Sequence, residues 1–557
     1  TARVPLIQYG LDRVLFNEGV YTLQDPRTRV WNFDPYLAKI MPVDQFDFDA
    51  LKEYITSSKD TLLMEITRKY KKKYTGSTSS MTSTMAHFHY LLSRWRRIDT
   101  SRLSKEYNVQ LDNFAAIQRA PAATFLNYKD GAYAIDADKQ WDSDTILSML
   151  GKSMEKLLTV PKDEFEKYRR SNSHQLTEEE RDQDESYHYT TYGDFMMRSQ
   201  LDAYDPRLPG TGVFDLKTRA VVSIRMDARN YTKGVGYEIR QRFGQWQSFE
   251  REYHDMMRSA FLKYSLQVRM GRMDGIFVAY HNTERIFGFQ YIPLEEMDQS
   301  MHGTMNKELG DREFTASLKL WNRLLNEATA RFPEQSLRIF VETRPSQSVP
   351  FMYFFAEPVT EEMIKEIQER KKEDVDQFRE QVLGMPPIRE DAEATTETPT
   401  QASASTEPSW SGSLEPAKAA DQEPEQLAKT SSEDNVQSSV DADVPEGPSP
   451  AVEDTTDAED AEKDADKPLF GMVLTIRNKV NGKHVDRPEK LEADDSWDVE
   501  YTMEEVTNPN RKQELYSAIQ NRRKAAHWKD PKGDSFAAFG GALRKYTKKG
   551  RDFRSKE

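Results

Sequence analysis

The sequence predicts a mixed α/β protein with a mostly helical N-terminal region and a disordered acidic insert towards its C-terminal end. Three observations carry the prediction. Between residues 145 and 388, segments with apolar residues at helical spacing alternate with short pairs of β-branched and aromatic runs. From 389 to 467 the chain is dominated by Ala, Glu, Asp, Ser, Thr and Pro, which cannot bury enough apolar surface to offset its ordering entropy. Strand signals then resume over 468–510 and are expected to rejoin the main body rather than fold alone.

Taken in order, residues 1–144 read as mostly helical and as a candidate RNA-binding region, with patches such as FDALKEYITSSKDTLLMEITRKY (48–70). The Ser/Thr/Gly run TGSTSSMTSTM (75–85) leads into AHFHYLLSRWRR (86–97), a predicted helix. A helix over 145–168 is stopped by Pro161, and the charged SHQLTEEERDQDE (173–185) reads as a solvated loop. Strands follow at YHYTTYGDFMM (187–197) and in a hairpin over 196–225, then one strong helix over 248–270. Two further strand pairs, within 274–294 and 337–358, precede a charged helix over 359–383. Of the late strands, LFGMVLTIRNKVNGKHV (469–485) contains an Asn-Gly turn and WDVEYTMEEV (497–506) is the second. The basic end, 511–557, starts as a helix and frays into a tail.

Composition bounds the chemistry. The 557 residues suffice for two or three domains or one large elaborated one. No run of about 18 apolar residues is present, so no segment is expected to span a membrane. With no cysteine, disulfides, thiolate metal sites and a cysteine nucleophile are excluded. Nine scattered histidines leave any metal site mainly oxygen-ligated, favouring Mg²⁺ or Mn²⁺ over zinc. The chain opens at Thr1 rather than Met, as expected if an N-terminal targeting segment has been removed. The net charge of −15 is uneven: residues 390–466 hold 22 Asp/Glu and three Lys, a net of −19, so everything else sums to +4. Residues 511–557 alone hold 14 Lys/Arg against five Asp/Glu, a net of +9. The protein is thus locally basic around an acidic insert.

The chemistry concentrates in MMRSQLDAYDPRLPGTGVFDLKTRAVVSIR (196–225), read as two strands joined by a Pro/Gly turn. Side chains alternate across a strand, so Asp215 and Lys217 share one face while Phe214 and Leu216 share the other. Asp202 lies across the turn, and in a twisted hairpin the two acids converge at the open end. Two carboxylates there suit a hard divalent cation, and Lys217 would steady the attacking water or the charge building on a phosphate. The competing reading is an exposed edge hairpin with solvated charges. Against it, the acid and the lysine interrupt an apolar strand.

RSQLDAYD…VFDLKT resembles the RecB-like branch of the PD-(D/E)xK nuclease superfamily, in which a strand ending in an Asp precedes one reading acid-x-lysine. The resemblance implies a restriction-endonuclease-like core, a mixed central sheet flanked by helices. It makes Asp202 the first metal ligand, with Asp205 as the alternative, Asp215 the second, and Lys217 the catalytic lysine. It also implies an acid or histidine on the helix before the sheet: Glu155 in LGKSMEKLL fits, with His87 and His89 as the competing choice. The superfamily's later helix often carries a glutamine near a tyrosine, and KYSLQVRM supplies Gln267 and Tyr264.

A closer resemblance rests on LQDPRTRVWNFDPYL, AHFHYLLSRW, GKSMEKLL and YDPRLPGTGVFDLKTRAV, which are similar to the fungal mitochondrial RNA-processing nuclease family. That resemblance implies Mg²⁺- or Mn²⁺-dependent 5′→3′ exoribonuclease activity in transcript 5′-end trimming and degradation. It also implies a matrix-side, membrane-associated location and contact with the mitochondrial RNA polymerase. For single-stranded RNA, Lys71 and Lys72 in RKYKKKY and Arg94, Arg96 and Arg97 in RWRR are candidate phosphate contacts with interleaved aromatics, and Arg240 and Arg242 in YEIRQRF are better placed. The alternatives are a catalytically silent scaffold binding RNA or polymerase, and a DNA exonuclease of the same superfamily.

Overall fold

The computed structural model describes residues 3–142, 145–346, 348–383, 467–527 and 537–556, so the predicted disordered insert lies, apart from Lys467, outside the described residues. The described chain is mixed α/β, built on two sheets. The smaller sheet has five strands: β1 (Val20–Thr22), β2 (Ala203–Tyr204), β3 (Val213–Ala220), β4 (Gly275–His281) and β5 (Ile286–Pro293), in the order β1-β5-β4-β3-β2. Only β3 and β4 run parallel within it, with Asp215 opposite Ile276 and Lys217 opposite Val278. A parallel pair needs a long crossover. Here it contains two helices that the sequence reads as one over 248–270, Phe249–Ser259 and Phe261–Met270, separated where Ala260 leaves helical geometry (φ −142°).

The larger sheet has ten strands. From one edge they run Lys483–Val485, Phe470–Val480, Phe351–Pro358, Leu337–Arg344, Ala122–Lys129, Ala132–Ala137, Tyr74–Ser77, Phe195–Gln200 and Tyr187–Tyr192, with Trp497–Glu505 also paired to Phe470–Val480. Residues 1–144 therefore differ from the mostly helical region the sequence suggests, since three of the central strands come from them. The periodicity there is dominated by two helices, α1 (Thr61–Lys69) and α2 (Thr78–Leu92), which mask the short strands between and after them. The Ser/Thr run expected to lead into a helix ends a strand and is itself helical from Thr78. Ser77 and Ser80 form a reciprocal cap, Ser80 N–H to Ser77 Oγ at 3.3 Å and Ser77 N–H to Ser80 Oγ at 3.0 Å, and the small side chains that follow are buried against the large core.

The predicted hairpin over 196–225 is also different in a way that matters for the site. Its first strand divides: Phe195–Gln200 pairs with Tyr187–Tyr192 and Tyr74–Ser77 in the larger sheet, and only Ala203 and Tyr204 pair with β3. The turn that follows is tight. Asp205 N–H donates to Gly212 O at 2.9 Å, and Gly212 adopts φ 79°, where a Cβ would stand 2.6 Å from the Asp205 carbonyl.

Helices cover the sheets. Besides α1 and α2, these are α3 (Ile146–Thr159), α4 (Phe249–Ser259), α5 (Phe261–Met270), α6 (Leu294–His302), α7 (Lys307–Arg331), α8 (Pro509–His527) and α9 (Ala537–Arg554). The apolar side chains of α3 (Ile146, Leu150, Met154) meet Phe214 and Leu216 of β3, which fixes α3 against the small sheet. Within the tail expected to fray, α9 is a second helix. The charged helix over 359–383 is two, Glu361–Glu369 and Lys372–Leu383. No helix of the described residues is long and apolar enough to cross a membrane.

Candidate active site

Asp202 sits in the two-residue link where the chain leaves the large sheet for the small one. Its buried carboxylate turns onto the small sheet, Oδ2 accepting the Leu216 N–H at 2.9 Å. That places it beside Asp215, with which it shares a hydrogen bond. Alternation along β3 puts Asp215 and Lys217 on one face, where Lys217 Nζ lies 2.5 Å from Asp215 Oδ2 and 5.0 Å from the centre of the Tyr264 ring on α5. Glu155 approaches from α3, whose Gly151 passes close to Thr218 of β3, near enough for its charge to act on both Asp202 and Asp215. Its Oε1 accepts from Gln200 Nε2 at 3.3 Å, and the same amide lies 3.4 Å from Glu185 Oε2.

The electrostatics of this cluster are those of crowded carboxylates around one cation. Burial and the neighbouring Glu155 and Asp215 charges push Asp202 well above the usual carboxylate range. Burial, then Glu185 and Asp215, raise Glu155 to about 7. Burial acts on Asp215 in the same sense, but Lys217 and the hydrogen bonds from Asp202 and Lys217 outweigh it, so Asp215 remains ionised. Lys217 in turn is pushed down by burial and held up by Asp215, Tyr264 and Asp202, with a net rise that keeps it charged. Lys263, next to Tyr264, is depressed by burial and by Lys217.

These residues suit a hard divalent cation: three carboxylates raise one another's energy when ionised, and a +2 ion relieves that repulsion. One helical turn after Tyr264, Gln267 is half-buried and its Oε1 is buried without a hydrogen-bond partner. Gln267 thus lies on the Tyr264 side of α5 with a buried acceptor to offer.

Other candidates fall elsewhere. Asp205 is committed to the turn, accepting from the Arg207 backbone N–H and Nε, both at 2.9 Å. His87 uses both ring nitrogens structurally, Nδ1 accepting from Thr343 N–H at 3.0 Å and Nε2 donating to Ala120 O at 2.9 Å. His89 pairs with Glu313. Neither histidine completes the carboxylate cluster.

The basic clusters are mostly occupied by partners within the chain. Arg94 pairs with Asp486, Arg96 with Glu489 and Arg97 with Asp112, so these cations are neutralised where they stand. Trp95 stacks flat on the buried Tyr90 ring at 4.4 Å, and Tyr74 is fully buried. Trp95 and Tyr74 are therefore packing residues, whereas Tyr70 is exposed. Lys72 donates to Gly193 O at 2.7 Å, while Lys71 is exposed. Arg240 lies over the Phe553 ring of α9 and lines a pocket with Trp246, Tyr546 and Lys549; Arg242 is exposed beside Phe243. Sequence reasoning passed over Glu185, Gln200 and Lys263. Glu185 stands in a charged loop that gives no local sign of turning inward.

Helix α3, Asp202 ahead of the Asp-x-Lys strand β3, a helical crossover and the parallel strand β4 thus follow one another in the order that the PD-(D/E)xK resemblance implies. Residues 54–326 match the model of the family described as mitochondrial protein Pet127. The chain belongs to that family. It is 40% identical over 351 residues to the Schizosaccharomyces pombe protein named mRNA degradation protein pet127, mitochondrial, covering 62% of this chain and 66% of that protein. It is 42% identical over 324 residues to PET127 of Saccharomyces cerevisiae, named as a candidate mitochondrial translation system component, covering 55% of this chain and 39% of that protein. The chain therefore spans less than two thirds of the length of either relative. A crystal structure of Candida albicans Rai1 in complex with pU5 and Mn²⁺ aligns with a TM-score of 0.29 at 12% identity, over 69% of this chain and 100% of that one.

Proposed function

We propose that the chain is a divalent-metal-dependent ribonuclease that hydrolyses phosphodiester bonds of mitochondrial RNA. The convergence of Asp202, Asp215, Lys217 and Glu155 at one strand end carries the reading. The name of the fission-yeast relative supports mRNA degradation as the setting. Digestion from the 5′ end, a role in 5′-end trimming, a matrix-side membrane-associated location and contact with the mitochondrial RNA polymerase belong to the same proposal and rest on the family resemblance alone.

In this reading Asp202, Asp215 and Glu155 would hold Mg²⁺ or Mn²⁺, which would supply charge neutralisation at the phosphate and a more acidic water. Asp215 holds Lys217 charged and in place, and the Tyr264 ring restricts where its ammonium points. That ammonium donates to the phosphate oxygens as negative charge builds on them. Glu155 is crowded by the like charges of Glu185 and Asp215 in the metal-free chain, which favours a cation beside it. Gln267, Arg240 and Arg242 are proposed to position the strand.

Matched RNA and DNA oligonucleotides bearing a 5′ phosphate or a 5′ hydroxyl test substrate class and polarity together. Stepwise shortening of 5′-phosphorylated RNA, with DNA intact, is the expected result. DNA cleavage at an equal rate would replace RNA with DNA as substrate. RNA binding without cleavage by the wild-type chain would favour a scaffold, the reading closest to the budding-yeast relative's name.

A further inference from the structure

Two of the nine histidines, far apart in sequence, meet in the protein interior on the opposite side of α5 from the carboxylate cluster. His89 lies in the last turn of α2, His302 ends α6, and Glu313 lies in the second turn of α7. Each offers a ligand atom, and the three atoms lie within 4.8 Å of one another. His89 Nδ1 stands 2.5 Å from Glu313 Oε1, and His302 Nδ1 stands 3.8 Å from Glu313 Oε2. All three residues are more than nine-tenths buried.

Hydrogen bonding alone does not account for this arrangement. Among the described residues the His302 ring makes no hydrogen bond, its Nδ1 is buried without a partner, and so are His89 Nε2 and Asp298 Oδ1. Buried polar atoms are almost always satisfied, and an unpartnered His302 Nδ1 facing the Glu313 carboxylate points to a missing ligand. Asp298 is held by Arg269, Nη2 to Oδ2 at 2.6 Å, and its free Oδ1 faces His302 Nε2 at 3.8 Å. A carboxylate behind a histidine, on the side away from the other donors, is the outer partner that a metal-ligating imidazole ordinarily has. Space is tight as well, for a side chain on Gly310 would strike Arg269 and approach His302 Nε2 to 3.1 Å.

We propose that His89, His302 and Glu313 form a buried structural zinc site that clamps α2, α6 and α7 together, with Asp298 orienting His302. Two imidazoles and one carboxylate suit a borderline divalent ion, and a tetrahedral zinc with bonds of about 2.0–2.1 Å sets its donors roughly 3.4 Å apart, so uptake would part the His89–Glu313 hydrogen bond by about 0.9 Å and leave the fourth position to water. Burial leaves no path for substrate, so the role is to hold the helices. The Arg269 side of α5 faces this clamp while Tyr264 faces Lys217, so the clamp also fixes the helix that backs the carboxylate cluster.

The test uses the full chain carrying Asp215→Asn, to weaken metal uptake at the carboxylate cluster. After extensive dialysis with a weak chelator, elemental analysis should find one zinc per chain. Replacing it with cobalt should give the intense visible bands of a tetrahedral ion. His302→Gln should lower retained zinc at least tenfold and abolish those bands, and Glu313→Gln should do the same. Should those variants fail to fold, the cobalt spectrum of the Asp215→Asn chain decides alone. Substoichiometric metal, or only the weak bands of an octahedral ion, would overturn the proposal, as would full zinc retention in folded His302→Gln.

Discussion

Lys217 is half-buried beside three carboxylates and keeps its charge because Asp215 and Tyr264 outweigh the cost of desolvation. Lys217→Ala should therefore lower cleavage by about 10²–10³-fold, the range for removing one donor aimed at developing charge, while RNA affinity changes little. Single-turnover rates beside equilibrium binding separate the two effects. Glu155 gives a prediction with a defined sign. Its folded-state value, raised by burial and by Glu185 and Asp215 from 4.5 to about 7, means that the folded, metal-free chain holds a proton the unfolded chain has released. Stability of the metal-free protein should then fall as pH rises from about 4.5 to about 7. Glu155→Gln should flatten that decline and raise the melting temperature at pH 7, whereas an unchanged pH profile would mean that Glu155 is ordinarily ionised. At this scale the acids and the lysine were legible because their signal is local: polar residues interrupting an apolar strand. Glu185 was not, because only the Gln200 amide, placed by another strand, draws it inward. His302 and Glu313 were illegible for the same reason, their meeting with His89 being a property of three helices.

Among the elements, the late segments matter most for stability. Phe470–Val480 pairs along Phe351–Pro358, and α8 packs Tyr516 and Ile519 onto Ala123, Phe340 and Phe355. Beneath α8, Asp138 is fully enclosed by cations: Arg338 Nε donates to its Oδ2 at 2.8 Å and Arg523 of α8 approaches its Oδ1 at 3.3 Å. Burial acts to raise Asp138, but the two arginines win and hold it below the usual range. Removing one member of a buried pair leaves the others uncompensated, so Asp138→Ala should destabilise by about 3–5 kcal/mol, read by chemical denaturation of the full chain. A loss within 0.5 kcal/mol, the size of an ordinary surface substitution, would show that α8 is not anchored there. Sequence periodicity located most helices but not their breaks. At Ala260 only backbone geometry marks the interruption, and the split of the 196–225 hairpin depends on Phe195–Gln200 finding partners more than a hundred residues upstream, at Tyr74–Ser77.

On the scale of the whole molecule, charge is distributed in blocks. Residues 390–466 carry −19 of a total of −15, leaving +4 for the rest. Replacing that block with a short Gly/Ser linker should speed RNA association at low ionic strength, and the gain should vanish in high salt, where charges beyond about a Debye length are screened. Stopped-flow fluorescence with labelled RNA at two salt concentrations reads both. An unchanged rate at low salt would place the acidic block outside the reach of the RNA site. The same uneven charge explains why the overall acidity of the chain said little about its partner. The central claim, that Asp202, Asp215 and Lys217 form a metal-dependent phosphodiesterase centre, has one most direct measurement. The full chain and its Asp215→Asn variant are incubated with 3′-labelled, 5′-phosphorylated single-stranded RNA, with Mg²⁺, with Mn²⁺ and with neither. Shortened, label-bearing products from the wild type alone, and only with metal, are predicted. RNA left whole by both proteins in both metals, or cut equally by both, would contradict the account.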